Sequence, residues 1–280
     1  MKKREIIEGV IKDYDFPNKG SFELDGKKVI VKGALPGQKV SCMVSKVRKD
    51  KAEARLLDVL ERSEIEDAVP PCPQFGICGG CAYQTMSYEH QLELKAGQVK
   101  KLLDGVIDSE AHPYDWEGII GSPVTTAYRN KMEYSFGDEY KDGPLVLGLH
   151  KKNSMYDIVP VCNCVIVSED YNRIVSYTME FARAHGLSYH KKMQHVGLLR
   201  HLVLRQSKTN GGLLVNLVTS TDGLETLDLN AYVEGLLALP LDGTIIGILH
   251  TANDSLADAV VPEKVTLLYG CLLYTSDAAD

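Results

Sequence analysis

The chain has 280 residues, of which 44% are apolar and 25% are charged, and its formal net charge is −7. This length allows two or three small domains, and the composition is ordinary for a soluble globular protein. No apolar run reaches the roughly 18 residues of a membrane-spanning helix, and the charged start does not resemble a secretory signal. We therefore expect a cytoplasmic protein with reduced cysteines and no membrane partner.

The first 60 residues predict several short strands separated by turns. Strand candidates rich in β-branched residues lie at 6–11, 21–24, 28–31 and 40–47, and this close spacing favours a small, OB-like β-barrel. The segment carries 14 Lys and Arg against 9 Asp and Glu, whereas the rest of the chain is acidic. A basic barrel indicates a nucleic-acid contact. The candidate contacts are Lys46, Arg48, Lys49 and Lys51. The alternative interpretation of these residues is a solvated hairpin tip.

Three cysteines follow a charged, proline-ended linker at 61–71. Cys72, Cys78 and Cys81 lie within ten residues, and two glycines between the last two would let the backbone curl close to a bound group. Cys162 and Cys164 are the candidates for a fourth ligand. An arrangement of three ligands plus one is typical of a 4Fe–4S cluster, and a four-cysteine zinc site is the alternative.

The remainder of the chain predicts a mixture of helices and strands. Ser87 is a candidate N-cap for a helix that extends to about Leu103, with Val99 among the residues on its inward face. The later elements are a hairpin of strands 132–136 and 145–150, a helix at 169–185, a hairpin of strands 202–205 and 213–219, a helix at 224–239 and a strand at 244–250.

Several of these segments together resemble the iron–sulfur RNA (uracil-5-)-methyltransferases. The resemblance is carried by CPQFGICGGC at 72–81, by the basic barrel before it, by YRNKMEY at 128–134 and by GLLRHLVLR at 197–205. It covers about residues 5–269 and implies that the barrel is a TRAM domain. In the family pattern aliphatic residues follow the fourth cysteine ligand. Cys164 fits this pattern, and Cys162 is kept as the alternative.

The resemblance also implies a reaction and a partner. Members of the family transfer a methyl group from S-adenosylmethionine to carbon 5 of a uracil in 23S ribosomal RNA, and close relatives act on transfer RNA. We therefore expect ribosomal RNA, and not DNA, as the partner. Further RNA contacts are expected at Arg129, Lys131, Arg200 and Arg205, because arginine pairs with phosphates and stacks on unpaired bases. Internal ion pairs are the alternative for any one of these arginines.

The family places its catalytic residues and methyl-donor site in a C-terminal Rossmann-like domain. No strand followed by a glycine-rich turn appears late in this sequence, so we expect that domain to be absent, with no catalytic residue in this chain. Cys271 is given no role, because the segment 270–280 resembles translated sequencing-adapter sequence and is predicted to be non-native. The chain is thus predicted to be an N-terminal fragment that is inactive by itself.

The expected fold class is a multidomain α+β protein. It would comprise an OB-like TRAM barrel at 1–60, a small iron–sulfur helical domain at 72–112 and a central α/β domain facing RNA at 113–269. Two alternatives stay open: a self-standing RNA-binding module with a structural zinc or iron–sulfur site, and a transfer RNA methyltransferase. A radical S-adenosylmethionine enzyme is disfavoured because the first cysteine spacing does not fit its usual triad.

Overall fold

The computed structural model describes residues 1–108, 110–256, 260 and 263–271. The chain divides into two compact units. One comprises Met1–Pro70 with Ala82–Pro123, and the other comprises Pro71–Cys81 with the chain from Val124 onward. The expected fold class placed the cysteines and the following helix in one small iron–sulfur domain. This part of the expectation is wrong, because the cysteine segment packs with the second unit and the helix with the first.

A six-stranded sheet forms most of the first unit. The strands are β1 (Ile6–Val10), β2 (Asp13–Asp15), β3 (Lys19–Leu24), β4 (Lys27–Lys32), β5 (Lys39–Val47) and β6 (Lys51–Glu61). Their order in the sheet is β1-β5-β6-β4-β3-β2, and all neighbours are antiparallel except the parallel pair β4 and β6.

The sheet curls so that strands β1 and β3 approach each other over an apolar core. A Cβ atom at Gly9 would lie 2.3 Å from the Phe22 ring, and one at Gly20 would lie 2.9 Å from the Ile11 side chain. Only glycine allows such a close approach of two strands. This core includes four valines of strands β4 and β5, namely Val29, Val31, Val40 and Val44.

Helix α1 (Tyr88–Asp104) belongs to this first unit and is attached to it by ion pairs. The predicted N-cap is present, since Ser87 Oγ accepts a hydrogen bond from His90 N at 3.4 Å. Near the other end, Lys101 Nζ donates to the carboxylates of Asp13 at 2.7 Å and Asp15 at 2.6 Å on strand β2. Hydrogen bonding to Lys101 lowers the pKa of both carboxyls below their usual 3.8.

The inward face of α1 differs from the prediction. Val99 is 43% exposed, whereas its neighbour Gln98 is buried. A mostly polar helix with weak apolar periodicity does not define its buried face, so the ion pairs and the sheet determine the helix rotation.

A seven-stranded mixed sheet forms the second unit. Its elements are β7 (Lys131–Asp138), β8 (Leu145–His150), β9 (Ile158–Pro160), α2 (Glu169–Ala184), β10 (Leu199–Gln206), β11 (Gly212–Thr219), α3 (Leu229–Leu237), β12 (Thr244–Ala252) and β13 (Lys264–Gly270). The strand order is β13-β12-β11-β10-β7-β8-β9. Among these described strands only the neighbours β11 and β12 are parallel, and helix α3 lies in the connection between them.

Helix α2 packs its apolar side on the core of this unit, as its periodicity predicts. Tyr171, Ile174, Thr178 and Phe181 are all buried. Helix α3 starts five residues later than predicted, because Asp228 caps it by accepting hydrogen bonds from two backbone amides of the first turn. No described helix is both long and apolar enough to cross a membrane.

Candidate functional site

The segment 72–81, called the cysteine loop below, is held against the end of strand β8. The backbone amide of Gly79 donates to His150 O at 2.9 Å, and the amide of Lys152 donates to Ile77 O at 2.7 Å. A Cβ atom at Gly79 would lie only 3.1 Å from His150 O. Glycine at this position therefore allows the loop to approach the strand, as the sequence suggested for a backbone that must curl tightly.

Cys164 lies in a second, buried segment just before helix α2. Its side chain belongs to the apolar core of the second unit, and its backbone amide donates to Asn172 Oδ1 at 3.0 Å. Asn172 in turn donates to Glu169 Oε2 at 2.9 Å. The first turns of α2 thus position Cys164, whereas Cys162, two residues earlier, is exposed.

Cys78 and Cys81 of the cysteine loop pack against the same buried core that contains Cys164. Burial raises the pKa of the Cys164 thiol, and negative charge on the three loop cysteines raises it further. Burial likewise raises the pKa of Cys78, while the Gly80 amide, 3.4 Å from Cys78 Sγ, lowers it. Cysteines separated by about 80 residues in sequence therefore share one neighbourhood, and no disulfide involves the described cysteines.

The arrangement of these cysteines does not by itself show a metal site. Among the residues that the structure describes, no group of three or more His, Cys, Asp or Glu side chains could hold a metal ion. The assignment of Cys72, Cys78, Cys81 and Cys164 as ligands, with Cys162 as the alternative, therefore stays a prediction.

The TyrArgAsnLys segment lies beside the same thiols. The amides of Ala127 and Arg129 each donate at 2.9 Å to the carbonyls of Val165 and Ile166, directly after Cys164. Burial raises the pKa of the Tyr128 hydroxyl, and charge on the loop cysteine Cys81 adds to this. The cysteine motif and the TyrArgAsnLys motif, which are far apart in the sequence, therefore contribute to one site.

Tyr134, on strand β7, is the residue at this site that the sequence did not single out. Its side chain is 0% exposed, and its hydroxyl has no hydrogen-bond partner among the described residues. Burial raises the pKa of this hydroxyl, and the next contribution is charge on Cys164. The only sequence signal was its place at the end of the YRNKMEY segment. A buried hydroxyl without a partner, in the same core as the Cys164 thiol, is available as a hydrogen-bond donor.

The predicted RNA contacts divide into exposed and buried residues. Lys46, Arg48, Lys49 and Lys51, at the hairpin of β5 and β6, are exposed, as are Arg129 and Lys131. Arg205 is half-buried.

Arg200 does not fit the predicted role in RNA binding. It is 5% exposed, and its Nη1 donates to the carbonyls of Asn253 at 2.6 Å and Ser255 at 2.9 Å. These bonds place the guanidinium inside the second unit, where it links β10 to the segment after β12.

Comparison with known proteins relates the chain to RNA methyltransferases. It is 45% identical over 271 residues to an uncharacterised RNA methyltransferase of Clostridium acetobutylicum, and 42% identical over 272 residues to one of Caldanaerobacter subterraneus subsp. tengcongensis. In each case the match covers 96% of this chain and 58% of the relative. No protein-family model matches the chain.

A solved structure shares the fold. It is the Pyrococcus abyssi tRNA (uracil-54, C5)-methyltransferase in complex with S-adenosyl-L-homocysteine, with a TM-score of 0.64 and 23% sequence identity. The match covers 94% of this chain and 55% of that chain.

This likeness corrects the expected fold class a second time. The sequence led us to expect that the methyltransferase domain is absent, and the match of nearly the entire chain to a solved methyltransferase contradicts that expectation. The comparisons also give no support to the expectation that the chain is inactive. By sequence and by fold, the chain is a relative of proteins named RNA methyltransferases, and it spans 58% of the length of the two bacterial relatives described above.

Proposed function

We propose that the protein is an S-adenosylmethionine-dependent RNA (uracil-C5)-methyltransferase that acts on 23S ribosomal RNA in the cytoplasm. The observation that carries this proposal is the single site in which the cysteine loop, Cys164 and the TyrArgAsnLys segment meet. The names of the bacterial relatives support RNA methylation in general. Transfer RNA is the second candidate substrate, because the solved structure with the same fold is a tRNA methyltransferase.

A methyl-transfer assay tests the activity and separates the two substrates. The purified protein is incubated with isotope-labelled S-adenosylmethionine and unmodified 23S ribosomal RNA or unmodified transfer RNA, and 5-methyluridine is then measured after nuclease digestion. We expect label in 5-methyluridine from 23S RNA. Label in transfer RNA alone would refute the ribosomal substrate. RNA binding without any methyl transfer would refute the activity and favour a self-standing RNA-binding module.

We further propose that Cys72, Cys78, Cys81 and Cys164 hold a 4Fe–4S cluster. Three features support the fit: the shared neighbourhood of the thiols, the Gly80 amide directed at Cys78 Sγ at 3.4 Å, and the buried Tyr134 hydroxyl without a partner. Backbone amides and hydroxyls near cysteine sulfurs are typical of iron–sulfur sites, where they stabilise the negative charge. When bound, the cluster would crosslink the cysteine loop to the start of helix α2.

Metal analysis tests the cofactor independently of activity. Protein purified without oxygen should contain iron and acid-labile sulfide and should show the broad visible absorption of an iron–sulfur cluster. Zinc without labile sulfide would refute the cluster and favour the four-cysteine zinc site.

A further inference from the structure

A pocket of about 370 Å³ opens on the second unit at the end of strand β7. It is formed by the last residues of β7, the turn that follows, residues 156–157 before β9 and the segment 189–194. This volume is in the range of small-molecule sites and is sufficient for one heterocyclic ring. None of the residues predicted from the sequence to bind a cofactor or RNA lines it.

Two tyrosines give the pocket aromatic surfaces of different exposure. Tyr156 is 58% exposed, and its hydroxyl lies 4.0 Å from Met193 Sδ on the opposite segment. Tyr189 is half-buried and has the Lys191 ammonium 5.8 Å from its ring centre. One face of Tyr189 is thus covered by a cation, whereas much of the Tyr156 ring is open to a flat partner.

Asp138 places a hydrogen-bond acceptor in the pocket. Its Oδ2 accepts a hydrogen bond from the Tyr189 hydroxyl at 2.8 Å. Burial, with Asp138 next in effect, raises the pKa of Tyr189 to about 12, so the tyrosine remains a donor at neutral pH. The second oxygen of Asp138 receives no hydrogen bond from a described residue. A carboxylate oxygen held in this way suits a ligand that presents N–H groups.

Lysines supply positive charge around the same opening. Lys141 is exposed in the turn after β7. Lys191 also lines the pocket, and its Nζ forms an ion pair with Asp142 Oδ1 at 3.8 Å. The pocket thus combines an exposed aromatic ring, an N–H acceptor and nearby ammonium groups. A nucleotide has the matching features, namely a flat base, N–H donors on the base edge and an anionic phosphate.

We propose that this pocket binds one unpaired nucleobase of the RNA substrate, stacked on Tyr156 with its N–H edge toward Asp138 and its phosphate near Lys141. The proposal rests on the proposed function, because it takes the occupant to be RNA. It adds a second base-recognition site, separate from the uracil that is methylated, and so a determinant of which RNA the protein selects.

Fluorescence of a stacked base tests this proposal. The probe is a short single-stranded RNA that carries one 2-aminopurine among uridines, titrated with the full chain. We expect the fluorescence of the base to be quenched on binding. Tyr156→Ala should raise Kd about tenfold and abolish the quenching, since stacking on an aromatic side chain contributes much of the affinity for an unpaired base. Tyr140→Ala is the matched control, because Tyr140 is 60% exposed in the neighbouring turn but does not line the pocket.

The outcomes separate this inference from the proposed function. Equal Kd and equal quenching for the two variants would refute base binding in the pocket and would leave the proposed RNA methylation unaffected. A wild-type protein without affinity for any RNA would overturn the proposed function as well. Adenosine monophosphate that binds as tightly as the oligonucleotide would overturn RNA as the occupant in favour of a free nucleotide. Circular dichroism spectra that match the wild type would show that both variants are folded.

Discussion

Replacement of Tyr134 by phenylalanine should change stability in opposite directions with and without a bound cluster. The Tyr134 hydroxyl is fully buried and has no hydrogen-bond partner among the described residues. A buried polar group without a partner costs about 1–3 kcal/mol. In protein without metal, Tyr134→Phe removes this cost, so we expect the free energy of unfolding to increase by about 1 kcal/mol.

In protein with a cluster the same substitution should be destabilising. Tyr134 and Cys164 belong to the same buried core, and charge on Cys164 adds to the effect of burial in raising the pKa of the Tyr134 hydroxyl. A hydrogen bond from this hydroxyl to a thiolate or sulfide would contribute about 1.5–3 kcal/mol, the usual value for a charged acceptor. Loss of that bond should lower the free energy of unfolding and speed the loss of visible absorption in air.

Urea unfolding followed by circular dichroism, without oxygen and with or without reconstituted iron and sulfide, measures both effects. Tyr171→Phe is the control, because this tyrosine is equally buried but donates to Asn130 O at 2.7 Å. It should be destabilising in both forms, by about 1 kcal/mol or more. A Tyr134→Phe effect of the same sign with and without the cluster would refute the assigned hydrogen bond.

Three further predictions concern the cysteines, an ion-pair network and a close backbone contact. Cys164→Ser should remove most of the iron and labile sulfide, whereas Cys162→Ser should leave both unchanged; the reverse result would exchange the two assignments. Lys101→Ala should lower the free energy of unfolding by less than about 1 kcal/mol, because the pairs are exposed. Lys101 lowers the pKa of the Asp13 and Asp15 carboxyls, so its stabilising contribution is present above their usual pKa of 3.8 and should vanish as the pH falls through the lowered pKa values. A stability difference between wild type and Lys101→Ala that persists in acid would contradict this origin. Gly148→Ala would place a Cβ atom 1.8 Å from the Val159 carbonyl oxygen. We expect this clash to lower the free energy of unfolding, measured by thermal unfolding, by about 3 kcal/mol. A melting temperature equal to that of the wild type would show that strands β8 and β9 separate easily.

Local patterns in the sequence predicted much of the secondary structure. The Ser87 cap and the apolar periodicity of α2 gave helices close to those observed, because caps and amphipathic faces act over a few residues. Strands β2, β6, β9 and β13 were missed. β6 contains Lys, Glu and Ala residues, which have low strand propensity, and its strand state is determined by pairing with β4 and β5.

The sequence by itself identified Cys72, Cys78 and Cys81 as candidates for one site, because their spacing and the glycines between them are local properties. Only the tertiary structure showed that Tyr134 and Cys164 share one buried core, that Arg200 donates to buried carbonyls, and that α1 belongs with the barrel-like sheet. These relations depend on strand register and on contacts between residues far apart in the chain. Periodicity contains no information about such contacts, since many registers satisfy the same local pattern.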